Sequence, residues 1–133
     1  REHQVPLPSQ AISALLSIKP LTFRDAYSYV FPGRGKHEIM SENTLRLALH
    51  RLGFIVTAHG LRSLITDVLN ENGFNPDAIE RQLDHAEKNK IRRAYLRSNF
   101  IDERVKMMQW FADWCDAKAT GKSISNVTKL KVA

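Results

Sequence analysis

Three short stretches carry side chains that can bind a phosphate group and react with it. They are "HGLR" at 59–62, "LDH" at 83–85 and "RRAY" at 92–95. Arginine presents a planar fork of N–H donors to two oxygens of one phosphate, and histidine exchanges protons near neutral pH. Tyrosine acts as a covalent nucleophile once its proton is removed. Together these residue types predict phosphoryl transfer.

The spacing within these stretches supports this interpretation. His59 and Arg62 lie three residues apart at the start of a predicted helix, so both side chains project from one face. Tyr95 lies among cations that are suited to holding a nucleic acid backbone. These cations are Lys90, Arg92, Arg93 and Arg97. The alternative interpretation is that these four residues form a solvated helix face.

The chain as a whole is basic, with a formal net charge of +6 and a pI near 9.7. A basic domain of this size favours nucleic acid as its partner. The last segment, 118–133, contains four lysines and no acidic residue, so it is either an electrostatic arm or a solvated tail. The length fits one domain, which we assign to residues 1–117.

Other classes of protein and site are disfavoured by the composition. Apolar runs are short and interrupted by charges, and no signal peptide is visible, so we expect a cytoplasmic protein without a membrane partner. Cys115 is the only cysteine, and the five histidines lack the spacing of a metal site. "PGRGKH" lacks the spacing of a phosphate-binding loop. We therefore predict no metal and no cofactor.

Helical periodicity dominates the chain, and the sequence predicts a mainly α fold with a small β portion. Strands are expected at "HQVPLP" and "YSYVFPGRG", where β-branched and aromatic residues run into proline or glycine. The expected helices run from Ser9 to just before Pro20, from Ser41 to Gly53, over 58–72, over 76–84 and from Ile101 to Ala117.

Each predicted helix has an apolar stripe that should face the core. The inward residues are expected to be Leu45, Leu49, Leu52, Leu61, Ile65, Val68, Leu69, Ile79, Leu83, Val105, Met108 and the stretch from Trp110 to Cys115. Two features have alternative interpretations. The helices over 58–72 and 76–84 also fit a helix-turn-helix, and the aromatic residues Trp110, Phe111 and Trp114 fit either the domain's own core or a subunit interface.

The order of these features resembles the C-terminal catalytic domain of the tyrosine recombinases. Within that family, the sequence is most similar to prophage and genomic-island integrases of enterobacterial type. The matching motifs, in chain order, are "VPLPSQA", "FPGRG", "MSENTL", "AHGLR", "NENGFNPDAIERQLDH", "NKIRRAY" and "ERVKMMQWFADW". The resemblance covers roughly residues 3–117 and implies a helical recombinase fold.

The resemblance implies a role for each candidate residue. Tyr95 matches the nucleophile that attacks the scissile DNA phosphate and forms a 3′-phosphotyrosyl intermediate. Arg62 matches an arginine that stabilises charge on the phosphate in the transition state. His59 matches the group that manages the proton of the nucleophile, and His85 matches a hydrogen-bond donor to a phosphate oxygen. The resemblance also implies that the cations around Tyr95 hold the DNA backbone, and we assign DNA binding to Lys90, Arg92, Arg93 and Arg97. The implied function is site-specific DNA recombination during prophage or island integration and excision.

The family pattern also includes an arginine and a lysine that would lie before residue 1. We therefore expect an N-terminally truncated piece of a longer integrase that does not recombine DNA by itself. The implied partners are double-stranded DNA attachment sites, further subunits in a tetramer, and accessory DNA-bending or directionality factors in the bacterial nucleoid. The rival hypothesis is a non-catalytic DNA-binding or assembly module in which Tyr95 is structural.

Overall fold

A computed structural model of the chain describes residues 3–24, 29–33, 39–84 and 99–122. Within these ranges the backbone forms the helices α1 (Ser9–Thr22), α2 (Glu42–Arg51), α3 (Ala58–Glu71), α4 (Pro76–Gln82) and α5 (Ile101–Ala119). The β structure of the described ranges is a single isolated antiparallel bridge between Pro32 and Ile39. The mainly α prediction is therefore confirmed, and the expected β portion is reduced here to one bridge.

The chain divides into two compact units. We call Arg1–Pro8 together with Ile65–Ala133 the core unit, and Ser9–Leu64 the second unit. The division falls within α3, so the first half of that helix belongs to the second unit and its last half to the core unit. Among the helices in the described part of the chain, none combines the length and apolar character that a membrane span requires.

The hydrophobic core of the core unit joins α3, α4 and α5. Its buried side chains are Val68, Leu69, Ile79, Met107 and Trp110. Partly buried apolar side chains pack around them, namely Ile65, Phe74, Leu83, Met108, Phe111 and Trp114. The predicted inward positions of α4 are thus confirmed, as are those in the last half of α3. All three aromatic residues of α5 lie in this core or at its edge, as expected of a domain that covers its own interior.

The turn between α3 and α4 sets how these two helices pack. Gly73 has φ of +77°, a left-handed conformation that glycine adopts without steric cost, and it ends α3. Asn75 then caps α4, because its side-chain oxygen accepts a hydrogen bond from the backbone N–H of Asp77 at 3.0 Å. The amide nitrogen of Asn75 also donates to Glu103 on α5 at 3.3 Å. One residue therefore begins α4 and links it to α5.

The predicted end of α1 is wrong, because the helix continues through Pro20 to Thr22. Proline lacks a backbone N–H and removes one hydrogen bond of the helix. The next turn is closed nonetheless, since the N–H of Phe23 donates to the carbonyl of Lys19 at 2.8 Å and the hydroxyl of Thr22 donates to the carbonyl of Ile18 at 3.3 Å. Local hydrogen bonds thus outweigh the loss at Pro20.

The two expected strands are also corrected within the described residues. The segment over 3–8 forms no strand with the described residues, and the backbone carbonyl of Gln4 accepts a hydrogen bond from the Arg104 side chain instead. The described part of the second expected strand, 29–33, contributes only its bridge to Ile39. The alternating pattern in 3–8 suggested hydrogen bonds to a neighbouring strand. The hydrogen bond to Gln4 comes from a side chain instead.

Several predicted inward positions of α5 and α3 are exposed. Val105 is 50% exposed and Leu61 is 44% exposed, while Cys115 also lies at the surface. The buried stripe of α5 runs through Arg104, Met107 and Trp110, and Val105 lies about 100° around the helix from Arg104, its nearest member. We predicted that Val105 faces inward because it is apolar. The neighbouring Arg104 is buried instead.

In the second unit, α2 has a side-chain cap at its N-terminus, but most of its apolar side chains are exposed. The hydroxyl of Ser41 accepts a hydrogen bond from the N–H of Asn43 at 3.4 Å, as the predicted cap requires. Leu49 is half-buried, whereas Leu45 and Leu52 are exposed, so the inward prediction is wrong for those two residues. On α1, Ile12 and Leu16 are exposed as well.

Candidate functional site

The N-terminus of α3 is fixed by Thr57, a residue that the sequence analysis did not single out. Its hydroxyl oxygen accepts a hydrogen bond from the N–H of Gly60 at 3.0 Å, and its backbone carbonyl accepts one from the N–H of Leu61 at 3.0 Å. A β-carbon at Gly60 would lie 3.3 Å from the Thr57 hydroxyl, so glycine suits this close turn. The preference of helix starts for threonine was the available signal.

His59 and Arg62 project from the helix that Thr57 begins. They are the second and fifth residues of α3, both are exposed, and a separation of three places them on one face. The hydroxyl of Ser63 donates to the carbonyl of His59 at 3.2 Å. The N-terminus of a helix carries partial positive charge, which favours an anion near its first turn. The prediction that His59 and Arg62 lie in the first turns of one helix is confirmed, and their catalytic roles stay predictions.

The other predicted site residues lie outside the described residues. These are His85, Tyr95, Lys90, Arg92, Arg93 and Arg97. Their roles stay predictions. The described chain nevertheless includes both flanks of the segment that carries them, which runs over 85–98. The flanks are Asp84 after α4, and Asn99 and Phe100 before α5.

Both flanks contain an unusual backbone conformation. Asp84 has φ of 52° and Phe100 has φ of 48°. Left-handed φ values are uncommon outside glycine, above all for a bulky residue such as phenylalanine. Phe100 is also the residue that precedes the first turn of α5, and its carbonyl accepts a hydrogen bond from the N–H of Arg104 at 2.8 Å.

Arg104 is the buried residue that ties these flanks together. It is only 1% exposed, and its guanidinium makes three hydrogen bonds to three parts of the core unit. Nε donates to the side-chain oxygen of Gln82 at 2.8 Å, Nη1 to the carbonyl of Asn99 at 3.2 Å, and Nη2 to the carbonyl of Gln4 at 2.6 Å. The end of α4, the start of α5 and the N-terminal segment are thereby joined.

Arg81 also links the end of α4 to Asn99, before the start of α5. Its Nη2 donates to the side-chain oxygen of Asn99 at 2.6 Å. Burial, together with the positive charge of Arg81, lowers the pKa of the Arg104 guanidinium below its usual value. The residues on either side of 85–98 are therefore held by two arginines whose charges repel each other.

The sequence analysis did not identify the structural roles of Arg81 and Arg104. Arg104 lies three residues before Met107 and six before Trp110, so it occupies the inward stripe of α5. A charged residue at an inward position is the signal that could have identified it. Arg81 gave no such signal, since it lies in the last turn of α4 where basic residues are common.

Comparisons with known proteins agree with the resemblance described above. The family model described as "Phage integrase family" matches residues 1–101. The chain is 40% identical to the prophage integrase IntA of Escherichia coli (strain K12), over 99% of this chain and 32% of IntA. It is 42% identical to the integrase of Enterobacteria phage P4, over 86% of this chain and 27% of that protein.

A third relative, the integrase of Shigella phage Sf6, is 35% identical over 87% of this chain and 31% of its own length. No solved structure matches the chain at a significant level. The chain thus spans about a third of the length of these curated relatives. The match of the family model to three quarters of the sequence, in the part that includes His59, Arg62 and Tyr95, is sufficient for assignment. The chain belongs to the phage integrase family.

Proposed function

We propose that this chain is the greater part of the catalytic domain of a site-specific DNA integrase. The observation that supports the proposal best is the placement of His59 and Arg62 on one face of α3 beside a capped N-terminus, in a chain of the phage integrase family. In this proposal residues 1–117 belong to the catalytic domain and 118–133 form its basic tail. The activity is that of a longer protein that includes this chain.

The proposed reaction is the exchange of one phosphodiester for another. The Tyr95 oxygen attacks the phosphorus of the scissile phosphate, the bond from phosphorus to the 5′ oxygen breaks, and the 5′ oxygen takes up a proton. The product is a 3′-phosphotyrosyl link and a free 5′-hydroxyl. A 5′-hydroxyl of the partner strand then attacks the same phosphorus and releases the tyrosine. Because each bond broken is replaced by an equivalent bond, the reaction needs no ATP.

The other candidate residues support this exchange in the proposed mechanism. Arg62 donates to the non-bridging phosphate oxygens, whose negative charge increases in the transition state. His59 manages the proton of the nucleophile, and His85 donates a hydrogen bond to a phosphate oxygen. The exposure of His59 and Arg62 leaves both accessible to a DNA strand.

The proposed partner is double-stranded DNA at attachment sites. The net charge of +6 supports binding to the phosphate backbone, to which we assign Lys90, Arg92, Arg93 and Arg97. We further propose that the longer protein acts as a tetramer on two duplexes with accessory DNA-bending or directionality factors, in the bacterial cytoplasm at the nucleoid. The 133-residue chain alone is expected to bind DNA weakly and not to recombine it.

The proposal is tested by mapping a covalent adduct. The longer integrase is incubated with a nicked suicide substrate, from which the 5′-hydroxyl fragment diffuses away after cleavage. We expect a protein–DNA adduct that survives denaturation, with mass spectrometry of the digested adduct placing the nucleotide on the peptide that contains Tyr95. Salt-dependent DNA binding without any adduct would instead favour the non-catalytic module. A nucleotide on Tyr29 would contradict the assignment of the nucleophile.

Replacing Arg62 with lysine should slow adduct formation by about 100- to 1,000-fold at saturating DNA. Lysine keeps the positive charge but cannot present two parallel N–H donors to the phosphate. The rate is measured by single-turnover cleavage of the same suicide substrate. The matched control is Arg51→Lys, on the exposed end of α2, which should cleave at the wild-type rate. Equal cleavage rates for both variants would contradict the assignment of Arg62 to the catalytic site.

A further inference from the structure

A polar cavity in the core unit is formed by residues to which the cleavage mechanism assigns no role. Its volume is about 160 Å³, and it is lined by His3, Gln4, Arg81, Asn99 and Arg104. Within the described ranges of the chain, no acidic side chain lines the cavity. A water molecule takes up about 30 Å³ in the liquid, so the cavity has room for a small ion with a few waters.

The positive charge at this cavity is not compensated by its hydrogen-bond partners. The three acceptors of the Arg104 guanidinium are an amide oxygen and two backbone carbonyls, and the acceptor of Arg81 is the amide oxygen of Asn99. In the part of the chain that the structure describes, neither guanidinium forms an ion pair with a carboxylate. A buried charge without a counter-charge is unfavourable, and an anion between the two arginines would relieve this.

Unused hydrogen-bonding capacity points to the same conclusion. A guanidinium has five N–H donors, and Arg104 uses three of them. The Nε of Arg81 is buried and has no hydrogen-bond partner. The Nδ1 of His3 is likewise buried without one, and it lies 3.7 Å from a carboxylate oxygen of Asp84, too far for a hydrogen bond. Buried polar atoms left without partners are a recognised sign of a missing ligand or ion.

We propose that this cavity binds one tetrahedral oxyanion of the phosphate class between Arg81 and Arg104. The planar fork of arginine matches the oxygen spacing of a phosphate, and two forks together offer donors to several of its oxygens. The oxyanion is either free phosphate or one backbone phosphate of bound DNA, since both present the same oxygens. The site contains none of the residues assigned to cleavage. This proposal can therefore be tested independently of the proposed recombinase activity.

The proposal is tested on the 133-residue chain with inorganic phosphate as the probe. Melting temperatures are measured in sodium phosphate and in sodium chloride of equal ionic strength. A ligand at about ten times its dissociation constant should raise the melting temperature by roughly 3–6 °C. Arg81→Gln should abolish the rise, and Arg81→Lys, which retains charge without the fork, should reduce it. The matched control Arg51→Gln removes one exposed arginine and should retain the full rise.

A duplex of about 20 base pairs distinguishes the two sources of phosphate. If the occupant is a DNA phosphate, inorganic phosphate should compete with the duplex and Arg81→Gln should weaken duplex binding more than Arg51→Gln does. If the occupant is free phosphate, duplex binding should be the same in both variants. The proposal is overturned if phosphate gives no rise beyond chloride, or if Arg81→Gln, folded by circular dichroism, shows the wild-type rise.

Discussion

Replacing Tyr95 with phenylalanine should abolish the covalent protein–DNA adduct of the longer integrase while changing its affinity for DNA by less than about twofold. The substitution removes one oxygen atom, which is the atom proposed to attack phosphorus, and it preserves the aromatic ring. Adduct formation should fall below detection, because loss of the nucleophile removes the reaction path itself. Adducts are measured by denaturing electrophoresis on the nicked suicide substrate, and affinity is measured at fixed salt concentration.

The matched control is Tyr29→Phe, which removes the same atom from an exposed tyrosine in the second unit. This variant should form adduct at the wild-type rate. An unchanged adduct in Tyr95→Phe would refute the assigned nucleophile. Loss of DNA binding in Tyr95→Phe would indicate that the phenol oxygen contributes to binding and not only to chemistry.

Replacing Arg104 with alanine should lower the free energy of unfolding of the chain by about 3–5 kcal/mol. The side chain is 1% exposed, and its loss leaves three acceptors without this donor: the buried side-chain oxygen of Gln82 and the partly buried carbonyls of Asn99 and Gln4. Removal of this fully buried side chain also leaves a cavity. Part of this cost is offset because a desolvated charge is removed. The loss is measured by urea denaturation followed by circular dichroism.

Two controls separate the hydrogen bonds from general effects on α5. Val105→Ala, at the next residue but half exposed, should change the free energy of unfolding by no more than about 0.5 kcal/mol. Arg104→Lys keeps the charge and the aliphatic stem, but one ammonium does not reach all three acceptors, so it should be intermediate. Wild-type stability in Arg104→Ala would mean that these hydrogen bonds contribute nothing net to the fold.

The helical part of this fold could be predicted from the sequence because local signals and burial agree there. Val68, Leu69 and Ile79 follow a helical stripe, and Gly73 and Asn75 mark the turn between α3 and α4. The positions of His59 and Arg62 on α3 followed from the same periodicity. Where the pattern and the packing require the same residues inside, sequence reasoning was sufficient.

Two of the errors arose where a distant contact decided the structure. The alternation in 3–8 suggested a strand, but the backbone of Gln4 is bound by Arg104, one hundred residues later in the chain. Val105 is apolar and exposed, whereas its neighbour Arg104 is charged and buried, which inverts the usual expectation. No local pattern reports the acceptors that make such a burial possible.

The left-handed residues Asp84 and Phe100 bear on how freely this protein can evolve. Each such conformation imposes a torsional penalty of about 1–3 kcal/mol, which surrounding contacts must outweigh. The direction in which the chain leaves α4 and enters α5 is thus set at Asp84 and Phe100 and by the arginine contacts beside them. Substitutions within 85–98 can therefore accumulate during evolution without redirecting the backbone at either flank.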